Sequence, residues 1–345
     1  MARKKITMQK ISEIAGVSKY VVSKTLNGKP GVSETTRKKV LNIAKELGYF
    51  KGDILATSDG KRDKNGGLIL VVVPNQNEYF ENSPYWGRVI DGVTSGIYEK
   101  NLNTIIMTEN QEIKEHINIK KLIGIICVGQ ISTDYLLDLQ RLAVPIVMID
   151  NEDALIKSDT IFKDNFGGVN RMTKHLIALG HTQIAFVGDI NFSLSFYDRW
   201  LGFRIACEQA GVNTEHSQAQ ISLAYHNFEN KFNDWIAQNE KKHLSFPTAF
   251  VCANDDIAVN TMKVLTKQGL CIPEDCSVTG FDNLEVGMYT TPPISTVQVM
   301  KESIGRRAVS KLLWRINHEQ FPPEKILVDG DLMIRESVSS PKVKE

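Results

Sequence analysis

Ser18, Lys19, Tyr20, Ser23 and Lys24 place five hydrogen-bonding or cationic side chains within seven residues. On a helix, residues three and four apart share a face. Such donors reach base edges in a DNA major groove, and lysines neutralise phosphates. Far along the chain, Asn254-Asp255 follows the apolar run AFVCA, and Asp282 follows SVTGF. Carboxylates and amides at the carboxyl ends of apolar strands accept hydrogen bonds from the hydroxyls of a small ligand. The chemistry these residues predict is recognition, of a polyanion at one end and of a hydroxyl-rich molecule at the other. Catalysis finds little support, because the chain has no GxxxxGKS/T, GxGxxG, HExxH or GxSxG. The Asp residues have neither a nucleophile nor a metal set beside them. The expectation is a binding protein, not an enzyme, with no cofactor and no metal site.

Charge separates the two kinds of recognition. The 345 residues hold 41 Lys and Arg against 40 Asp and Glu. Residues 1–51 take 12 of the basic and only 3 of the acidic ones, leaving 29 and 37 for the rest. A small basic head on a larger acidic body points to a polyanion partner for the head. The hydrophobic fraction of 42% is ordinary for a globular protein, and the length predicts two or three compact units. No apolar run approaches the roughly 18 residues of a membrane helix. MARKKITMQK is followed by no apolar stretch, so no signal peptide is expected. Five cysteines, an odd number mostly in apolar surroundings, suit a reducing cytoplasm.

The head reads as three helices. Thr7 is a plausible N-cap for a first helix carrying Ile11, Ile14 and Ala15. Gly16 supplies a turn, and Ser18 caps a second helix with Val21, Val22, Thr25 and Leu26 inward. Asn27-Gly28 ends it. Ser33 caps a third helix whose apolar face is Val40, Leu41, Ala44 and Leu47. This is a helix-turn-helix with a supporting helix. Lys19, Tyr20, Ser23 and Lys24 face outward to read bases, while Lys29, Arg37, Lys38 and Lys39 are placed to neutralise phosphates. Thr7, Ser18, Asn27 and Ser33 complete the expected DNA-binding set.

Ile11 to Tyr49, read as IxxIAGVSxxxVSxxLNGxxxVSxxTRxKVxxxAxxLGY, resembles the DNA-binding headpiece of the LacI/GalR transcriptional repressors. The resemblance implies a dimer whose two headpieces read an inverted repeat in double-stranded DNA. Lys24 stands where an Arg is common, so any guanine contact is made by a point charge rather than a planar fork. In the family a hinge helix follows and wedges a leucine into the minor groove. Here the wedge position falls on Ser58, followed by Asp59, unless Ile54 and Leu55 serve in a shifted register. Residues 51–66 otherwise read as a polar linker.

From 67 to 338, apolar strands alternate with amphipathic helices in two cycles, which predicts an α/β body of two lobes, each a parallel sheet with helices on both faces. Strands are expected at 68–74, 104–107, 123–129, 145–150, 183–188, 249–253 and 277–281, with a helix over 166–179 directly after the fourth. The first lobe is assigned 67–162 and 294–320, the second 163–293 and 321–338. GHTQIAFVGD, DRWLGFRIAC and the long run from Pro247 resemble the effector domain of the same family, similar in fold to periplasmic sugar-binding proteins. That likeness implies a small-molecule effector, often a sugar, in the cleft between the lobes. By resemblance Tyr85 and Trp86 supply aromatic faces, Arg199 a two-pronged donor and Asp164 a further contact. Together with Phe228, Asn254, Asp255 and Asp282 they form the expected effector set. A solute-binding protein without DNA function is the alternative, opposed by the basic head.

Overall fold

The computed structural model describes residues 8–26, 32–46, 67–75, 84–109, 111, 113, 117–212, 220–222 and 227–342. Expectations about Thr7, Asn27, Lys29 and the linker 51–66 lie outside these residues.

Three short helices form the head: α1 (Met8–Ala15), α2 (Lys19–Leu26) and α3 (Glu34–Glu46). Gly16 turns the chain with φ 64°, a backbone state that costs glycine little. Ser18 Oγ accepts the amide of Val21 at 3.3 Å, and Ser33 Oγ accepts that of Thr36 at 3.2 Å, so both serines cap the helices they precede. Ile11, Ala15, Val22 and Val40 form the core. Ile14, on the same helix, is 46% exposed. Ser12 is buried, its hydroxyl donating to the carbonyl of Val17 across the turn.

The first lobe is a six-stranded sheet built from β1 (Leu68–Val73), β2 (Asn103–Thr108), β3 (Leu122–Val128), β4 (Ile146–Ile149), β5 (Asp159–Lys163) and β11 (Lys325–Val328). The order is β11-β5-β4-β3-β1-β2, and every pairing is parallel. Strands such as LILVVV are apolar along their whole length because both faces are covered. One face is covered by α4 (Pro84–Glu99) and α11 (Lys301–Ile316), and α5 (Thr133–Gln140) packs on the other. The stripe Tyr85, Val89, Gly92, Val93, Gly96 and Ile97 recurs at three- and four-residue steps, as an amphipathic helix requires. At Gly92 and Gly305 the backbones of α4 and α11 come so close that a Cβ on Gly92 would fall on the Glu302 carbonyl, and one on Gly305 on the Val89 carbonyl.

The second lobe is a four-stranded parallel sheet of β6 (Ile184–Val187), β7 (Gln220–Ile221), β8 (Ala249–Cys252) and β9 (Ser277–Thr279), in the order β7-β6-β8-β9. Its helices include α6 (Asn165–Ala178), α7 (Leu194–Gln209), α8 (Phe228–Lys241), α9 (Asp255–Lys267) and the short α10 (Glu285–Met288). Between the lobes, β10 (Thr296–Val297) and β12 (Leu332–Met333) form a small antiparallel ladder.

Two assignments change. β5 lies in a segment expected to lead straight into a helix. Its ends are the charged residues Asp159 and Lys163, both buried, because partners remote in sequence neutralise them. Arg315 grips Asp159 with Nε at 2.7 Å and Nη2 at 2.9 Å. In addition, 325–328 does not finish the second lobe. It pairs with β5 as the edge of the first-lobe sheet. Only the later tail returns to the second lobe, where the Ser337 carbonyl accepts the Val278 amide. Among the described residues no helix is long and apolar enough to cross a membrane.

Candidate functional site: the interlobe cavity and the outer face of α2

A cavity of about 470 Å³ opens between the lobes at the carboxyl ends of the strands. This is where an α/β sheet leaves a crevice. The first lobe contributes Tyr85, Trp86, Asp150 and Lys163; the second contributes Phe196, Arg199 and Asp282.

Asp150 follows β4 and Asp282 comes after β9, and both have positive φ, 54° and 99°. Non-glycine residues seldom adopt this backbone state, and surrounding structure must hold them there. At Asp282 the holding is explicit. Its amide donates to the Val297 carbonyl at 3.0 Å, and its carbonyl accepts the ammonium of buried Lys301. Burial pushes the Lys301 ammonium below its usual range.

Arg199 on α7 is 1% exposed. Its Nε donates to Asn165 Oδ1 at 2.9 Å and its Nη1 to the Ala253 carbonyl at 2.5 Å. The guanidinium lies 4.0 Å from the centre of the Phe281 ring. Those supports aim Nη2 toward Asp282 Oδ1, 3.6 Å away. That distance is an ion pair without a hydrogen bond.

Lys163, at the end of β5, was not foreseen in the sequence. Its ammonium donates to Asp150 Oδ2 at 2.6 Å, sits 4.1 Å from the Tyr85 ring centre and lies 3.9 Å from Asp282 Oδ1. The Tyr85 hydroxyl donates to the same Asp150 oxygen at 2.8 Å, and burial pushes the phenol well above its usual pKa. Nothing in DTIFKDN marks Lys163 as a cavity residue; only the parallel register of β5 beside β4 brings it to Asp150.

Four expected effector residues thus line the cavity: Tyr85, Trp86, Arg199 and Asp282. Four do not. Asp164 caps α6, accepting the Gly167 amide at 2.8 Å. Asn254 caps α9, accepting the Ile257 amide at 3.0 Å. Asp255 is turned inward behind the Asp282 loop, accepting Thr296 Oγ1 and the Leu284 amide, both at 2.6 Å. Phe228 starts α8 and stacks on Phe232 beside a separate groove on the second lobe. Asx residues at strand ends are as well suited to capping the next helix as to binding ligand, and these three do the former or brace a loop.

On α2, Ser18, Lys19 and Tyr20 are exposed, Tyr20 at 72%, while Ser23 and Lys24 are half-buried. Lys24 Nζ lies 5.7 Å from the Tyr20 ring centre. Ser33 is exposed and Arg37 half-buried at the start of α3. Val22 and Thr25 point into the core, so the polar residues of α2 occupy its outer face.

Residues 7–51 match the model of the bacterial regulatory proteins of the lacI family, and residues 173–338 match that of the periplasmic binding protein-like domain. The HTH-type transcriptional repressor PurR of Haemophilus influenzae is 28% identical over 348 residues, spanning 97% of this chain and 99% of the relative. Among solved structures, a complex of the transcriptional regulator CelR with cellobiose superposes with a TM-score of 0.67 at 24% identity, covering 96% of this chain and 100% of that one. A lac repressor dimer bound to operator and the anti-inducer ONPF superposes with a TM-score of 0.64 at 21% identity, covering 97% and 100%.

Proposed function

Because this chain belongs to the lacI family of bacterial regulatory proteins, and so regulates transcription through DNA rather than catalysing a reaction, we propose that it is a cytoplasmic, dimeric repressor of carbohydrate-utilisation genes whose interlobe cavity senses a sugar or sugar derivative. The observation that carries the sensing role is the Asp282 carboxylate. One oxygen stands 3.6 Å from Arg199 and 3.9 Å from Lys163 of the opposite lobe, bonded to neither. Vicinal hydroxyls can bridge such a half-made triad by donating to the carboxylate and accepting from the cations. Trp86 beside it offers an aromatic face to the C–H side of a sugar ring. The cellobiose held by CelR and the operator held by the lac repressor dimer support this reading.

The mechanism is a population shift. A ligand that binds closed and open clefts unequally changes their ratio. Closure would alter the separation of two headpieces that must fit about one helical turn of DNA. Lys19, Tyr20, Ser23 and Lys24 would read bases, while Thr7, Ser18, Asn27, Lys29, Ser33 and Arg37 would hold the backbone.

The test is affinity for a DNA fragment selected from a random pool by the full-length chain. An inverted repeat is expected, bound with a steep fall in affinity as salt rises. A sugar that fills the cleft should change that affinity by at least about tenfold, a coupling of ~1.4 kcal/mol. Specific binding indifferent to every sugar would sink the sensing role and leave the DNA-binding one.

A further inference from the structure

We propose that the cleft selects its ligand by charge: it takes an uncharged or ammonium-bearing polyol and rejects phosphorylated and carboxylated ones. This rests on the reading of the cleft as the effector site.

Among the described residues, the cavity is lined by five carboxylates, Glu109, Asp150, Glu152, Asp153 and Asp282, and by two cations, Lys163 and Arg199. Both cations are engaged. Lys163 is bonded to Asp150 and covered by the Tyr85 ring. Arg199 spends Nε and Nη1 on Asn165 and Ala253 and turns Nη2 to Asp282. A phosphate or carboxylate entering here meets no cation that lacks a carboxylate neighbour. It would have to displace Asp150 or Asp282 from the charge that balances it, and would leave that carboxylate buried and unpaired.

The walls oppose an anion too. Glu109 is held in place by accepting the Ser132 amide at 2.9 Å, and Asp153 by accepting Thr133 Oγ1 at 2.6 Å and the Leu155 amide at 2.8 Å. Those hydrogen bonds favour the ionised form of Asp153 and hold its carboxyl below the usual range.

The floor asks for donors. Asp150 Oδ1 and Asp282 Oδ1 are buried without a hydrogen-bond partner, on side chains only 3% and 6% exposed. A buried acceptor left unsatisfied is costly, so a ligand bringing two donors gains where one bringing more acceptors does not. Hydroxyls and ammonium groups supply donors; ionised phosphates and carboxylates supply none.

Thermal unfolding of the full-length chain against matched sets tests this. Each set shares one ring: D-glucose, D-glucosamine, D-glucuronate and glucose 6-phosphate; D-galactose, D-galactosamine and D-galacturonate; D-ribose and ribose 5-phosphate; cellobiose and cellobiose 6′-phosphate. At least one uncharged or amino member should raise Tm by several degrees at saturation, and its acidic and phosphorylated counterparts should bind at least about tenfold more weakly. The shift should vanish in Asp282→Asn. In Glu109→Gln/Glu152→Gln, a substitution on the cavity walls, the acidic counterpart should recover several-fold relative to its parent; an unchanged ratio would overturn the charge argument. An acid or phosphate that matches or exceeds its parent, with its shift lost in Asp282→Asn, would overturn the proposal and leave the cleft as an effector site. Silence from every member would overturn both.

Discussion

Asp255 accepts the amide of Leu284 at 2.6 Å, and so braces from behind the loop on which Asp282 faces the cavity. Its other oxygen takes the Thr296 hydroxyl at 2.6 Å, and Gly280 beneath it leaves no room for a Cβ. Burial pushes this carboxyl up to about 7, against the two hydrogen bonds, which pull it down. With the folded value above the unfolded one of 3.8, the folded state holds the proton longer. Its stabilising contribution is complete below the unfolded pKa and is lost as pH rises through about 7. At 1.36 kcal/mol per unit the full effect is a few kcal/mol. Urea unfolding of the native chain and of Asp255→Asn from pH 4 to 8 should show the native chain losing ground to the variant up to about pH 7 and then running parallel. Parallel curves throughout would mean that Asp255 titrates normally.

Removing either half of the Arg199–Asp282 pair should abolish the response to ligand. Arg199→Ala also strips donors from Asn165 and the Ala253 carbonyl, so it should lower stability by roughly 2–4 kcal/mol. Asp282→Asn keeps the shape and should cost less. Calorimetry with whichever sugar shifts the melting point should give at least about tenfold weaker binding for both. Undiminished binding in Asp282→Asn would remove that residue from the site.

The α4–α11 crossing sets two effects against each other. Gly305→Ala should gain up to about 1 kcal/mol in helix propensity. It also drives a methyl group onto the Val89 carbonyl and the Val93 amide, backbone atoms that cannot turn aside. Overpacking of that kind costs about 1–3 kcal/mol, occasionally more. The variant should therefore unfold at lower denaturant, and a variant more stable than the parent would show that the helices part easily.

Lys24 provides the test of base reading. Lys24→Ala should weaken binding to the selected inverted repeat by roughly 1–3 kcal/mol and leave random DNA little affected. Competition gel shifts separate the two, and equal loss on both would make Lys24 a phosphate contact.

The head was legible in the sequence because its signals are local. Ser18 and Ser33 lie one position before helices and cap them, and Val22 and Val40 fall at the expected inward spacing. The alternation of strand and helix in the body was equally plain, since strands buried on both faces are continuously apolar. What could not be read depends on distant pairing. β5 has only three uncharged residues between Asp159 and Lys163, and its identity as a strand rests on neighbours at 146–149 and 325–328. Lys163 joins the cavity by the same route. Asn254 and Asp164 were legible as residues with a polar task, but the task was helix capping, which Asx followed by a helix also signals.

The first-lobe sheet is finished by residues made after the whole second-lobe sheet. Until α11 and β11 emerge from the ribosome, β5 is an uncovered edge, and Asp159 lacks Arg315 and Lys311, which neutralise it. The second sheet, drawn from 184–279, waits as well: its strand β9 is bonded by the tail, where the Ser337 carbonyl accepts the Val278 amide and the Ser339 carbonyl accepts the Ser277 hydroxyl. Neither lobe is therefore complete until residues 325–339 have been made, however early its first strands were. A transcript cut short, or a ribosome stalled before β11, would release a chain with its DNA-reading helices made and its sensing half still presenting a bare strand to other chains.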